Sequence, residues 1–328
     1  MIVSERFVID DNNIDSIRKK YPEGLHFVVG DTHGEKETLK ALMSKILFDS
    51  TKDHVYFVGD YNEGGYPEEL LKYMALYYQE DYDKPGFHMI RGNHEREPHP
   101  LYALANLPDV IVVRGAFLNY YIVHAGMVSL AYEAINEDMN SHPEKKVYAY
   151  SLDEYCTGYD APLRQLTWSR DGLYSQNSHW LKHRWPTTAE LHKEHACIIH
   201  GHSPYCYFVN NNSSYGDKNL FWEKQHIWFS EDLCSYNIDS NIKGRYVNGE
   251  MYRGLSCICL EVCDTIASQN QGLLTIEGIC GAENGVFSAA LCPGMSVEKE
   301  GDIYRILNAK PEMKTITVDP SGKIWMFD

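Results

Sequence analysis

The sequence predicts an α/β fold with a small C-terminal β extension. Three observations lead there. Short apolar runs alternate with stretches of helical periodicity through the first half of the chain. Groups of polar residues able to bind metal follow directly on apolar runs. Past Asp264 the chain breaks into short β-like pieces separated by turns.

The elements follow in order. Leu25 to Val29, His54 to Val58, Phe87 to Ile90 and Val110 to Val113 are short apolar runs, the pattern of buried strands. Between the first two, Glu35 to Asp49 sets Leu39, Leu42, Met43, Ile46 and Leu47 on one helical face. Between the second and third lies Pro67 to Gln79. Pro67 suits a first helical turn, and Glu68 and Glu69 complement the positive end of the helix dipole. Leu70, Leu71, Met74 and Tyr77 form its apolar stripe. This βαβαβ rhythm calls for helices covering a sheet. Tyr120 to His124, Cys197 to His200 and Ser256 to Val262 are further strand candidates. Ser129 to Lys193 is polar, aromatic-rich and helical in parts; Tyr205 to Gly249 reads as loops with irregular strands. The turn Asp319-Pro320-Ser321-Gly322 introduces a last strand, Lys323 to Phe327. With no internal repeat and no clear linker, the reading is one main domain over 1–264 and a β-rich extension over 265–328.

Composition narrows the function. The 328 residues carry 46 acids against 30 bases, a net charge of −16. Such a surface repels phosphate backbones, which argues against broad nucleic-acid binding. A site that handles phosphate would need its own positive charge, and bound metals can supply it. The nine cysteines show no CxxC spacing and read as buried thiols in a reducing compartment. Cys257 and Cys259 would share one face of a strand. Met1 to Lys20 carries acids and amides where a signal peptide needs an apolar stretch. Phe117 to Ile135 is interrupted by Asn119, His124, Gly126 and Ser129, unlike a membrane span. The expectation is a cytoplasmic chain with no membrane partner; the sequence leaves the oligomeric state open.

The chemistry lies in five motifs. They run Gly30-Asp31-Thr32-His33-Gly34, Gly59-Asp60, Gly92-Asn93-His94-Glu95, His124-Ala125-Gly126 and Gly201-His202. Strand ends are where open α/β sheets place ligands. Taken singly, each piece has a bland reading: a turn at Asp31 or Asp60, a helix cap at Asn93, a core histidine at His124. Together they are an ordered set of Asp, Asn and His donors, which suits manganese, iron or zinc and disfavours metals that want thiolates. His200 sits beside His202, but strand alternation can turn it away, and a structural role is expected. His99, His183, His192 and His195 have no partner motif. The 24 tyrosines could line a groove, though most fit half-buried packing. No P-loop and no Gly-x-Ser-x-Gly elbow is present.

These motifs resemble the metallophosphoesterase superfamily, and within it the phosphoprotein-phosphatase branch. That branch holds bacterial and phage serine/threonine phosphatases and diadenosine tetraphosphate hydrolases. Its pattern is GDxHG, GDxxDRG, GNHE, a His-Ala-Gly-like histidine and a Gly-His. Arg91 completes the RGNHE form, and Trp168-Ser169-Arg170 resembles a W-x-R element of the bacterial and phage members. The match runs from Leu25 to about Leu260. The resemblance implies a β-sandwich with helices on both outer faces and two divalent metal ions, manganese first. It assigns Asp31 and His33 to one metal, Asp60 to both, and Asn93, His124 and His202 to the second. Two close cations need anions between them, so a shared carboxylate is physically reasonable. The resemblance gives His94 the leaving oxygen, with a nearby carboxylate to orient it, and gives Arg170 and Asn93 the substrate phosphate.

The second motif departs from the pattern. It reads Gly59-Asp60-Tyr61-Asn62-Glu63-Gly64-Gly65. Glu63 stands where the family has Asp, and is the candidate partner of His94. Gly64 stands where it has an Arg that grips phosphate, and Arg96 is the candidate replacement. Three functions remain in view: a serine/threonine-phosphatase-like phosphomonoesterase acting on a phosphorylated protein or small phosphoester, a dinucleoside polyphosphate hydrolase or phosphodiesterase, and a metal-binding regulatory protein with little activity.

Overall fold

The computed structural model describes residues 14–96, 107–127, 129–151, 186, 191 and 194–202, with short stretches between 228 and 327. Helix α1, Ile14–Lys20, leads into strand β1, His26–Val29. Then come α2 (Lys36–Lys45), β2 (His54–Phe57), α3 (Pro67–Met74) and β3 (Gly86–Met89). Strands β4 (Val110–Arg114) and β5 (Asn119–Val123) precede α4 (Ser129–Ser141), β6 (Val147–Tyr150) and β7 (Ala196–His200). Later strands are β8 (Trp228–Phe229), β9 (Ser235–Asn237), β10 (Arg245–Val247), β11 (Glu250–Tyr252), β12 (Ser256–Cys259) and β13 (Ile279–Gly281).

Two mixed sheets result, as expected of a metallophosphatase-like sandwich. The first has the order β13-β12-β1-β2-β3, with β1, β2 and β3 parallel and β12 antiparallel to β1. The second has the order β6-β4-β5-β7-β9-β8, with β5 parallel to β7. Helices α2 and α3 cover one face of the first sheet. Leu39, Leu42, Met43, Leu70 and Met74 pack there against Phe27, Val29, Val55, Phe57, Phe87 and Met89. Helix α4 lies on the second sheet, where Tyr132 packs on Tyr121 and the Tyr121 hydroxyl bonds Asn136. Cys257 and Cys259 both point into the core under α2 and α3, the shared face that their spacing predicts.

Three boundaries differ from expectation. Helix α2 stops at Lys45 because Leu47 takes a left-handed φ of 51°; Leu47 then faces solvent instead of extending the apolar stripe. Helix α3 stops at Met74 because the chain turns to meet β3, with Phe87 N–H donating to Tyr77 O and Tyr78 bridging Phe87. Strand β12 ends at Cys259, and Leu260 and Glu261 turn helical. Strand β6, within a stretch read as polar and partly helical, pairs with β4. In the C-terminal segment β14 (Ser296–Glu300), β15 (Ile303–Leu307), β16 (Thr317–Val318) and β17 (Ile324–Phe327) make a four-stranded sheet. Thr317 and Val318 pair antiparallel with Trp325 and Ile324, and the turn expected over Asp319 to Gly322 lies outside the described residues. Among the described residues, no helix is long and apolar enough to cross a membrane.

Candidate metal centre

Strands β1, β2, β3, β5 and β7 end at one edge of the fold, and each releases its motif there. Asp31 follows β1, Asp60 follows β2, Asn93 follows β3, His124 follows β5 and His202 follows β7. The two sheets are stitched at this edge. His124 Nδ1, beyond β5 of the second sheet, lies 2.7 Å from Val58 O of the first, and within the second sheet Gly201 N–H donates to His124 O at 2.7 Å. The first contact turns His124 Nε2 inward, to 3.3 Å from Asp60 Oδ1 and 2.9 Å from Asn93 Oδ1. His202 reaches the same oxygen of Asn93 through Nδ1 at 2.8 Å. Its backbone N–H donates to Asp31 Oδ2, also at 2.8 Å.

Two groups of ligand atoms emerge, each within 4.8 Å: Asp31, His33 and Asp60 form one, and Asp60, His124 and His202 the other. Asp60 belongs to both. His33 is the loosest member, with Nε2 4.0 Å from Asp60 Oδ2. All but His33 are buried.

The donor set fits divalent cations. Asp31 is 2 % exposed, and its Oδ1 has no hydrogen-bond partner, which is costly for a carboxylate. Burial raises the Asp31 pKa, and the charges of Asp239 and Asp60 raise it further. Without a cation this corner is a set of carboxylates that repel one another. A metal ion would give Oδ1 its partner and stabilise the ionised form. Oxygen and imidazole donors without thiolate suit manganese, iron or zinc.

Backbone strain collects at the same place. His33, Asp60 and His202 have φ of 40°, 57° and 69°. Non-glycine residues persist in this region only where their surroundings hold them, commonly at functional sites. Two glycines are required by close approach. A Cβ on Gly92 would stand 2.3 Å from Asp60 Oδ1, and one on Gly201 would stand 1.9 Å from Asp31 Oδ1.

Glu95 is the residue whose role the sequence reading missed. Its carboxylate accepts the N–H groups of Asp60, Tyr61 and Gly92, each at 2.8 Å, and of Asn62 at 3.3 Å. It therefore splices the Asp60 loop to the Asn93 loop. Burial and the Asp60 charge push its pKa up to about 7, against the pull of those N–H donors. The only signal in the sequence was the E of GNHE.

Glu63 Oε2 lies 2.7 Å from His94 Nε2 and 3.6 Å from His33 Nδ1. The longer side chain thus spans the reach expected of an aspartate. His94 Nε2 lies 3.8 Å from Asp60 Oδ2, at the rim of the metal groups. Arg91 is turned away from this chemistry, clamped to buried Asp109 by Nε at 3.2 Å and Nη2 at 2.8 Å. His200 is buried, with Nδ1 3.2 Å from Gly201 O, and burial pushes its pKa down to about 4, in keeping with a structural part. Trp168, Ser169, Arg170, His99, His183 and His192 lie outside the described residues, as does the side chain of Arg96.

Structural likenesses include a diadenosine tetraphosphatase so described provisionally, at 14% identity, covering 73% of this chain and 90% of that one, with a TM-score of 0.34. A protein serine/threonine phosphatase from Saccharomyces cerevisiae shows 16% identity over 74% of each chain, with a TM-score of 0.40. A cold-active protein-tyrosine phosphatase of a psychrophilic Shewanella shows 18% identity, covering 72% of this chain and 77% of that one, with a TM-score of 0.34. No curated protein sequence matches the chain. The sequence model described as calcineurin-like phosphoesterase matches residues 27–244, a span that holds all five motifs. The chain belongs to the calcineurin-like phosphoesterase family and is a phosphoric ester hydrolase.

Proposed function

We propose that the chain is a phosphomonoesterase of the serine/threonine-phosphatase type, working with two divalent cations. The observation that carries this reading is the position of Asp60, common to both groups of ligand atoms, with the His94–Glu63 pair beside it. Asp31 and His33 would hold one cation, Asp60 both, and Asn93, His124 and His202 the second. Manganese is the metal proposed, and iron or zinc suits the same donors. When bound, the pair supplies Lewis acidity and an acidified water as nucleophile.

The remaining roles belong to side chains. His94 would assist the departing oxygen, and Glu63, 2.7 Å from its Nε2, would fix the orientation of the ring. The Asn93 amide would steady the phosphoryl group, with Arg170 and Arg96 as the cationic grips on it. Glu95 would keep the Asp60 and Asn93 loops at constant separation. The chain is proposed to act in the cytoplasm on a phosphorylated protein or a small phosphoester.

A second reading rests on Gly64. A glycine there removes a cationic grip used by protein phosphatases and leaves room for a larger ester. A dinucleoside polyphosphate hydrolase or phosphodiesterase fits that change. The test is a substrate panel on manganese-loaded protein: a phosphopeptide, an aryl phosphate, a phosphodiester and a dinucleoside tetraphosphate. Preferred turnover of the monoesters, lost in Asp60→Asn, supports the first reading. Preference for the dinucleotide supports the second, and no turnover of any member by metal-loaded protein refutes both.

A further inference from the structure

The metal centre has a further buried acid, Asp239. Strand β9 runs parallel to β7, with Asn237 level with His200, and Ile238 N–H donates to His200 O at 2.8 Å. Asp239 therefore leaves the second sheet at the edge where β7 releases His202. It is 2 % exposed.

Close packing fixes its place against the first motif. A Cβ on Gly30 would stand 2.2 Å from Ile238 O and 3.8 Å from the Asp239 Cα. Glycine at position 30 lets the chain at Ile238 and Asp239 lie directly on the residue before Asp31. From the other side Gly201 presses on the Asp31 carboxyl itself. Asp31 is thus hemmed in by the segments that follow β7 and β9.

The charges at this corner are of one sign. After burial, the groups that raise the Asp31 pKa are Asp239, Asp60 and Glu95, in that order. Asp239 therefore acts on Asp31 more strongly than Asp60 does, although Asp60 and Asp31 share a group of ligand atoms. Against these acids the His202 N–H donates to Asp31 Oδ2, while Oδ1 has no hydrogen-bond partner. Buried carboxylates set beside one another cost stability unless a cation joins them.

The proposed ligand set leaves room for a further negative charge. Two divalent cations bring four positive charges. Asp31 and Asp60 offset two of them, and His33, Asn93, His124 and His202 bind as neutral donors. The first cation has the poorer site, because His33 is half-buried with Nε2 4.0 Å from Asp60 Oδ2, whereas His124 and His202 are buried. Asp239 stands on the side of that poorer site, next to Asp31.

We propose that Asp239 is a positioning residue of the metal centre: its carboxylate strengthens the hold of Asp31 and His33 on the first cation, a role that rests on the two-cation reading. In the metal-free chain its charge repels Asp31 and is a liability. With the cation in place the same charge is attractive.

Asp239→Asn tests this, since it keeps the shape and one acceptor oxygen and removes the charge. The assays are calorimetric titration of the full, metal-free chain with manganese and urea unfolding of that metal-free chain. The binding event lost in Asp31→Asn marks the first site. In Asp239→Asn that event should weaken about 10-fold or more, the usual effect of removing an outer partner of a metal ligand, and the other event should change less. The urea midpoint of the metal-free variant should equal or exceed that of the parent. A buried acid kept only for the fold gives the opposite pair, a lower midpoint and an unchanged affinity. Unchanged affinity at the site of Asp31, or a metal-free variant that is less stable than the parent or fails to fold, overturns the proposal. A single binding event in the parent sinks the two-cation reading instead. If that event is lost in Asp31→Asn and weakened in Asp239→Asn, the role of Asp239 stands; if not, it falls as well.

Discussion

Asp109→Ala should destabilise the protein by about 3–5 kcal/mol, the cost of removing the carboxylate that a buried guanidinium is bonded to. Arg91 is 8 % exposed and Asp109 1 %, so water cannot replace the lost carboxylate. Both oxygens of Asp109 are engaged, at 3.2 and 2.8 Å, so both bonds go at once. Against a total stability of about 5–15 kcal/mol, the loss is large. It should also reach the metal centre, because Arg91 directly precedes Gly92 and Asn93. Asn93 Oδ1 is held 2.9 Å from His124 and 2.8 Å from His202, and a loosened loop would degrade both contacts. The assays are urea unfolding of the metal-free protein and calorimetric titration with manganese. Affinity should fall more at the site of Asn93, His124 and His202 than at that of Asp31 and His33. Arg91→Met/Asp109→Leu, which removes both charges, should recover much of the stability. A loss below about 1 kcal/mol for Asp109→Ala, or a double variant worse than the single, would refute the argument that the pair is buried and mutually dependent.

Three further outcomes follow from the same geometry. Gly201→Ala should abolish or strongly weaken binding of the first metal while leaving a folded chain, since its Cβ would sit 1.9 Å from Asp31 Oδ1; unchanged manganese stoichiometry by elemental analysis contradicts this. Glu63→Gln should lower kcat about 10-fold or more with metal content intact, because His94 loses the carboxylate 2.7 Å away; an unchanged kcat removes Glu63 from the mechanism. Acid should destabilise the fold through its buried histidine row: burial, then neighbouring His26, lowers His54 to about 3, and burial lowers His88 to about 4. The unfolded chain takes up those protons near pH 6.5 and the folded one does not, so stability falls as pH drops from 6.5 towards 4. Each pH unit costs about 1.4 kcal/mol per group, so His54→Gln should reduce the loss between pH 7.5 and 5 by about 2 kcal/mol; an unaltered difference in urea unfolding would exclude His54 as a source.

The sequence was most legible where one residue type had one physical reason to be present. Apolar runs became β1, β2, β3, β5 and β7 because their side chains have nowhere else to go. The strand-end order brought Asp31, Asp60, Asn93, His124 and His202 together, since parallel strands share a terminal edge. Less legible was anything decided by backbone conformation. The left-handed turn at Leu47 cut α2 short of its apolar pattern, and the positive φ at Asp60, which aspartate tolerates better than most residues, is not dictated by residue type alone. Strand β6 went unread because Val147 to Tyr150 is half-buried and pairs with a strand more than thirty residues earlier in the chain. Glu95 went unread as a splice because its four N–H partners come from loops that meet only in three dimensions.

The direct test of the account is a crystal soaked in manganese and measured for anomalous scattering. Two peaks about 3.5–4 Å apart, one on each side of the Asp60 carboxylate, are the predicted result. A single ion, or a pair that Asp60 does not join, would contradict it.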